Sequence, residues 1–334
     1  MLNEILTNTS WLAPQIDFLV WLQNIRVQTG GIFDKFFLSL TTLGELFLPT
    51  LAMCIIYWCV DTKAGIYLLT VNNFSTIVGL FLKMTACVYR PWILNNTVHP
   101  QEQALKMAGS YSFPSGHSYL AAAVWGGIAY LIRKHKFLCA ILILIVLTVG
   151  FSRLFLGVHT PQDVIVGLGI GFVMILLLPM LVDWCEKDKN RYLYILLAVN
   201  IISAVILYYV LTKTYPMDYV DGKLLVNPQK AQYITVIYFG LITGLINGAM
   251  LCRRFFPFEA KDTSIKVKIT RGVIGFFLFY LLFDIVQQHF FGSQKPYIYA
   301  FLYPCFVGFF STAIYPFVFN CGFIKKCKPS KMHE

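Results

Sequence analysis

The chain has 334 residues, of which 57% are apolar and only 13% are charged. Soluble globular proteins are about one quarter charged, so this composition excludes a disordered chain, a collagen-like or low-complexity protein, and an ordinary soluble domain. A spanning helix needs about 20 apolar residues, and the apolar positions suffice for roughly eight to ten such helices. We therefore predict an integral membrane protein with an all-α fold.

The net charge of +11 would suggest a nucleic-acid partner in a soluble protein. Here the sequence carries no RNA-reading motif and no basic stripe with aromatic residues outside the apolar runs, so we expect no nucleic acid. Lysines and arginines in loops are typical of a membrane protein that follows the positive-inside bias, and the lipid bilayer is the expected partner. The sequence leaves protein partners open. The nine cysteines form no CxxC pair, so neither a disulfide framework nor a zinc site is indicated.

Residues 1–43 differ from the rest of the chain. Charged residues such as Asp17 and Arg26 are too frequent there for a lipid-facing span. Apolar residues at three-residue steps from Ile16 to Ile25 predict an amphipathic segment that lies in the membrane interface. Nine apolar runs long enough to span follow it, at about 44–60, 64–82, 115–132, 137–157, 162–183, 192–212, 231–252, 271–290 and 297–320.

The distribution of basic residues predicts the orientation of these spans. With nine spans, the larger share of the 27 lysines and arginines falls on the side that holds the C-terminus. That side is expected to be cytoplasmic, so the N-terminus would lie outside and the C-terminus inside. We expect a bacterial cell membrane, or the endoplasmic reticulum if the source is a eukaryote.

Three polar clusters interrupt the apolar pattern on the predicted outer side. The first contains Lys83 and Arg90, seven residues apart and directly before Pro91. Seven residues are close to two helical turns, so both cations are expected on one helix face, and Pro91 disfavours continuation of the helix. Taken alone, two cations that snorkel at a helix end would explain this cluster equally well.

The second cluster comes directly before an apolar run and includes Ser115, Gly116 and His117. Ser115 suits an N-cap, and Gly116 allows the backbone to approach a ligand closely. Because the free N–H groups of a helix N-terminus attract anions, His117 in the first turn would face a bound anion. An ordinary helix cap is the alternative.

The third cluster contains Arg153, His159 and Asp163. Thr160, Pro161 and Asp163 together predict a helix start of the capping-box kind, so Asp163 could serve only as a cap. The same spacing places Asp163 one turn from His159, where it could orient the imidazole for nucleophilic attack or base catalysis.

Together the clusters supply three cations, two histidines, one carboxylate and a helix N-terminus. Fixed positive charges and N–H donors stabilise the equatorial oxygens of a phosphoryl group during transfer. One histidine can attack phosphorus while the other protonates the leaving oxygen. No acidic cluster is available to hold Mg²⁺, so the cations must stabilise the charge.

These residues, in this order and spacing, resemble the tripartite signature of the type-2 phosphatidic acid phosphatase superfamily. It includes lipid phosphate phosphatases, polyprenyl pyrophosphatases, sphingosine-1-phosphate phosphatases, glucose-6-phosphatase and vanadium haloperoxidases. The resemblance implies that His159 is the nucleophile that becomes phosphohistidine, that Asp163 orients it, and that His117 is the general acid. It also implies that the phosphatases need no metal or other cofactor. The phosphate cradle would consist of Lys83, Arg90, Ser115, Gly116 and Arg153.

The resemblance also divides the chain. Residues 44–183 would be the phosphatase core, preceded by the interfacial segment 1–43 and followed by additional transmembrane helices of unknown role in 184–334. We expect a membrane phosphatase acting on the extracytoplasmic face on phosphatidic acid, phosphatidylglycerol phosphate, a polyprenyl pyrophosphate or a sphingoid base phosphate. A transporter or flippase of phosphorylated lipid, and a phosphatase of a soluble sugar phosphate, are the alternatives. Asp284, inside a predicted span, could line a headgroup path or bond to a neighbouring helix.

Overall fold

The computed structural model describes residues 11–220, 222–261, 263–291 and 295–319. The described part is helical apart from loops and one two-stranded hairpin, in which β1 (Tyr219–Val220) pairs antiparallel with β2 (Lys223–Leu224). The all-α prediction is therefore confirmed. The first ten residues of the segment 1–43, and residues 320–334 of the segment 184–334, lie outside the described residues.

Fifteen α-helices follow one another in the described residues, and short 3-10 or π turns extend several of them. The first eight are α1 (Ala13–Gln28), α2 (Asp34–Thr41), α3 (Phe47–Ile55), α4 (Thr62–Ala86), α5 (Pro91–Leu94), α6 (Glu102–Met107), α7 (Gly116–Ala121) and α8 (Gly127–Leu131). The remaining seven are α9 (Lys136–Phe155), α10 (Pro161–Lys187), α11 (Arg191–Thr212), α12 (Pro228–Phe255), α13 (Ile265–His289), α14 (Tyr297–Phe309) and α15 (Tyr315–Phe319).

Seven helical segments of the described chain are long and apolar enough to cross a membrane, and an eighth results if Asp34–Gly44 and Phe47–Val60, bent by 49°, form one broken span. All nine predicted apolar runs are helical. However, the run 115–132 forms a single helix of only 16 residues over 116–131, with a π turn in its middle, and the run 44–60 is too short without α2. By length and composition the described chain therefore has seven or eight candidate spans, against the nine expected. The seven are Thr62–Leu94, Lys136–Phe155, Pro161–Lys187, Arg191–Thr212, Pro228–Phe255, Ile265–His289 and Tyr297–Phe319.

The chain divides into two compact units. The first comprises residues 1–49, 74–177 and 208–235. In it, helix α1 buries Ile16 and Leu19 against Leu94. The apolar face predicted from the three-residue steps therefore packs on protein. Location of this segment in the membrane interface stays a prediction.

The second unit comprises residues 50–73, 178–207 and 236–334. Its helices α12 and α14 approach closely at glycines, since a Cβ on Gly244 would overlap the carbonyl oxygen of Cys305. Small residues at such crossings let helix backbones pack closely in membranes. Asp284 accepts a 2.7 Å hydrogen bond from Gln288 on its own helix, α13. A headgroup path and a bond to a neighbouring helix both stay open as roles for Asp284.

Candidate active site

In the first unit, the predicted site residues lie at the ends of helices or in the loops that join them. Lys83 lies in the last turn of α4, and Arg90 precedes α5. Ser115 and Gly116 begin α7, and Arg153 lies in the last turn of α9. His117 follows in the first turn of α7, His159 lies in the loop between α9 and α10, and Asp163 lies in the first turn of α10.

Lys83 holds the loop that leads to α7. Its ammonium donates hydrogen bonds to the carbonyl oxygens of Tyr111 at 3.0 Å, Ser112 at 3.0 Å and Pro114 at 2.7 Å. These bonds fix the backbone before Ser115 and place a buried positive charge beside the site. Snorkelling to solvent is excluded for this side chain, because it is buried and bonded to the loop.

Arg90 reaches the site by a different route from the one predicted. Helix α4 ends at Ala86, and Cys87 adopts a left-handed φ of 50°, so Lys83 and Arg90 do not share a continuous helix. Arg90 is extended, with φ −72° and ψ 155°, because a residue before proline is disfavoured in the α region. Pro91 then starts helix α5, as proline suits the first helical position. The guanidinium donates to the carbonyl oxygens of Ser110 at 2.9 Å and Val158 at 2.8 Å.

His159 and Asp163 form a buried pair in which His159 Nδ1 lies 3.2 Å from Asp163 Oδ2. The same carboxylate oxygen accepts from the Ser112 hydroxyl at 2.5 Å and from the Thr160 N–H at 2.9 Å. Asp163 therefore caps the start of α10 and also contacts the histidine; its orienting role stays a prediction. Ser112, which no sequence pattern marked, is a further member of this group.

The contacts of the two ring nitrogens define the tautomer of His159. Arg90 Nη1 lies 2.8 Å from His159 Nε2, and a guanidinium can only donate. Nε2 must therefore carry a lone pair, while Nδ1 carries the proton that it donates to Asp163. Burial, and then the Arg90 charge, hold the pKa of His159 well below its usual range, although Asp163 opposes both. The imidazole is thus neutral at physiological pH, as a nucleophile must be.

The N-terminus of α7 adjoins the same group. The Ser115 N–H donates to the carbonyl oxygen of Asp163 at 2.9 Å, and the Ser115 hydroxyl accepts from Ser118 at 2.8 Å. Ser115 occupies the N-cap position, but its side chain makes no cap bond to the first-turn amides. Helices α7 and α10 pack closely at this point, since a Cβ on Gly167 of α10 would lie 2.7 Å from the Ser115 carbonyl oxygen.

Arg153 and His117 lie beside this group with unused polar atoms. Arg153 Nη1 donates to Thr41 Oγ1 at 2.6 Å, and its charge acts on His117 together with that of Arg90. Within the described part of the chain, Arg153 Nε and His117 Nε2 are buried without a hydrogen-bond partner. The Glu45 carboxylate is in electrostatic range of Arg153. Neither Thr41 nor Glu45 was predicted, because no local pattern marks them.

The arrangement suits an anion. Buried cations and unpaired donors require a negatively charged partner, and a neutral imidazole with its lone pair toward Arg90 can attack an electrophile held there. Among the described residues, no three His, Cys, Asp or Glu side chains cluster to hold a metal ion.

Fold and site together define a class: an integral membrane protein of helical architecture in which two histidines lie in one buried group with cations and a carboxylate. Residues 64–187 match the family model of the PAP2 superfamily, and residues 236–326 match the transmembrane extension of PAP2 superfamily phosphatases. The chain belongs to the PAP2 superfamily, the type-2 phosphatidic acid phosphatase superfamily that the motifs indicate.

Three curated relatives are similar to parts of the chain. Phosphatidylglycerophosphatase B of Bacillus subtilis is 39% identical over 98 residues, which are 27% of this chain and 47% of the relative. A probable sphingosine-1-phosphate phosphatase of Dictyostelium discoideum is 31% identical over 180 residues, 48% of this chain and 41% of the relative. Undecaprenyl-diphosphatase of Sulfolobus acidocaldarius is 29% identical over 135 residues, 40% of this chain and 63% of the relative. The chain thus covers less than two thirds of each relative, and no solved structure matches it.

Proposed function

We propose that this protein is a membrane phosphatase that hydrolyses a lipid phosphate monoester or pyrophosphate through a phosphohistidine intermediate. The observation that carries the proposal is the chain of contacts Arg90–His159–Asp163, which joins a cation, a nucleophile and an orienting carboxylate. The names of the three relatives, all phosphatases of lipid phosphates or diphosphates, support the same reaction class.

In the first step the lone pair of His159 Nε2 attacks phosphorus, and the ester P–O bond breaks. The leaving oxygen takes a proton from His117 Nε2, which is buried without a partner in the described structure. In the second step His117 accepts a proton from water, whose oxygen attacks phosphorus and breaks the P–N bond. The products are an alcohol, or a lipid monophosphate, and inorganic phosphate. Asp163 keeps the Nδ1 proton in place and stabilises the positive imidazole of the intermediate.

Arg90 and Arg153 would bind the phosphoryl oxygens directly. When phosphate oxygens accept hydrogen bonds from Arg90, its hold on His159 Nε2 is released, so binding itself exposes the nucleophile. The first-turn amides of α7, from Gly116 onward, would complete the cradle, with Ser115 holding the turn. Lys83 adds positive charge and fixes the loop before Ser115.

The proposed substrate is a lipid of the outer leaflet, which would enter the site laterally from the bilayer. An extracytoplasmic site with the N-terminus outside follows from the threading in which all nine apolar runs cross, because the basic residues are then in excess on the opposite side. The proposal needs no metal, because buried cations already oppose the phosphate charge.

Phosphate release from the purified full-length chain, measured on lipid and soluble phosphates, tests the proposal. We expect His159→Ala to abolish release, and brief incubation with radiolabelled substrate to label wild type but not the variant. His99→Ala is the matched control, because His99 is an exposed loop residue. Full activity of His159→Ala would refute the mechanism. Lipid movement in vesicles without phosphate release would favour the flippase alternative, and release from sugar phosphates alone would favour the soluble-substrate alternative.

A further inference from the structure

An acidic side chain lies at the edge of a site otherwise built from positive and neutral groups. Glu45 follows the 3-10 turn Thr42–Gly44, at the bend between α2 and α3. Its Oε1 atom is buried and, among the described residues, has no hydrogen-bond partner. A buried acceptor left unpaired costs about 1–3 kcal/mol, and more when it is charged, so this oxygen needs a donor.

The bend is held against the histidine that we propose as general acid. A Cβ on Gly44 would lie 2.8 Å from the His117 carbonyl oxygen and 3.0 Å from His117 Cβ. The Leu43 carbonyl oxygen accepts a 2.7 Å bond from the Trp125 indole, one helix segment further along. The bend that carries Glu45 therefore packs directly on the backbone of His117.

Phosphate alone would not supply a hydrogen-bond partner for every unpaired atom at this place. Arg153 Nε is a donor, and His117 Nε2 is a donor when it is protonated, so phosphate oxygens satisfy both. Glu45 Oε1 is an acceptor, and the oxygens of a phosphate dianion are acceptors too, so they would repel it. A hydrogen-bond donor on the group attached to the phosphate would satisfy this oxygen.

We propose that Glu45 recognises the departing alcohol, by accepting a hydrogen bond from a hydroxyl or ammonium group on the carbon next to the phosphate ester carbon. This inference rests on the proposed phosphatase function and narrows its substrate class. A sphingoid base phosphate has an ammonium group at that carbon, and phosphatidylglycerol phosphate has a hydroxyl. Phosphatidic acid has an acyl ester there, and a polyprenyl pyrophosphate has no such carbon-bound donor.

A matched set of single-chain substrates tests the inference: a long-chain alkyl phosphate and its β-hydroxy and β-amino derivatives. Because the bond to a carboxylate is charge-assisted, wild type should prefer the β-amino ester over the plain ester by about tenfold or more in kcat/KM. Glu45→Gln should lose about tenfold on the β-amino ester and about threefold on the β-hydroxy ester, whose hydroxyl the carboxamide still accepts. On the plain ester it should change little.

Glu102→Gln is the control, since Glu102 is an exposed carboxylate paired with Lys106; it should leave all three rates unchanged. An equal loss on all three esters in Glu45→Gln would assign Glu45 to positioning Arg153 and overturn the inference. Absence of any preference in wild type would overturn it without relying on a variant. Absence of phosphate release from every ester would instead refute the phosphatase function itself.

Discussion

Replacing Asp163 by asparagine isolates the charge of the carboxylate that contacts the nucleophile. The side chain keeps its size and one acceptor oxygen, so it can still accept from Thr160 N–H and cap α10. What changes is the partner of His159. The carboxylate lies 3.2 Å from Nδ1 and opposes the positive charge that the imidazole gains as Nε2 bonds to phosphorus.

The distance sets the size of the effect. At 3.2 Å and an effective dielectric constant of about 20, a full charge on the ring gains about 5 kcal/mol from the carboxylate. The transition state carries only part of that charge, so about 2.5 kcal/mol, or roughly 70-fold in kcat, is expected from electrostatics. The same Asp163 oxygen faces both Thr160 N–H and His159 Nδ1, so the asparagine oxygen can keep both contacts and the loss comes from the charge alone. The loss in kcat should therefore lie between about 30-fold and 200-fold.

Single-turnover phosphate release measures this loss, and thermal unfolding in detergent checks that the cap is intact. Asp183→Asn serves as control, because Asp183 pairs with Lys63 on an exposed surface and should change kcat less than about twofold. A folded Asp163→Asn variant that retains more than about one tenth of wild-type kcat would refute the orienting role. Equal destabilisation and inactivation would show that Asp163 acts only as a cap.

Two further predictions use the same geometry. Because burial and Arg90 hold the pKa of His159 below its usual range, the acid-side decline of kcat/KM, which reports protonation of the nucleophile, should begin only below about pH 6.5. An acid-side decline that begins above pH 6.5 would contradict a neutral resting imidazole. Gly44→Ala should reduce kcat by at least about tenfold. The reason is steric, because the new Cβ would lie 2.7 Å from Val149 Cγ1 and 2.8 Å from the His117 carbonyl oxygen. Unchanged kcat in the folded variant would show that the bend does not position His117.

The sequence predicts those parts of the site whose signals are local. Pro161, Thr160 and Asp163 lie within four residues and specify the start of α10 together with the carboxylate contact to His159. Ser115 and Gly116 likewise mark the start of α7. These predictions need only capping and helix geometry, both of which operate within one turn.

The parts that sequence reasoning missed depend on contacts between distant segments. Arg153 and Thr41 are 112 residues apart, and nothing near Thr41 indicates an arginine partner. The end of α4 at Ala86, rather than at Pro91, follows from the extended backbone that Arg90 needs to reach His159. A seven-residue spacing fits a continuous helix as well as a broken one, so the spacing alone could not separate the two.

The segment before the region matched by the superfamily model has a part in this site. That match begins at residue 64, yet Thr41 bonds to Arg153 and the bend at Gly44 packs on His117. A cation of the cradle and the proposed acid are thus both held from outside the matched region. If the motif residues perform phosphoryl transfer, the residues around the bend are well placed to decide which leaving groups receive the proton. Substrate preference within the superfamily can therefore vary through this segment while the motif residues and their chemistry stay the same.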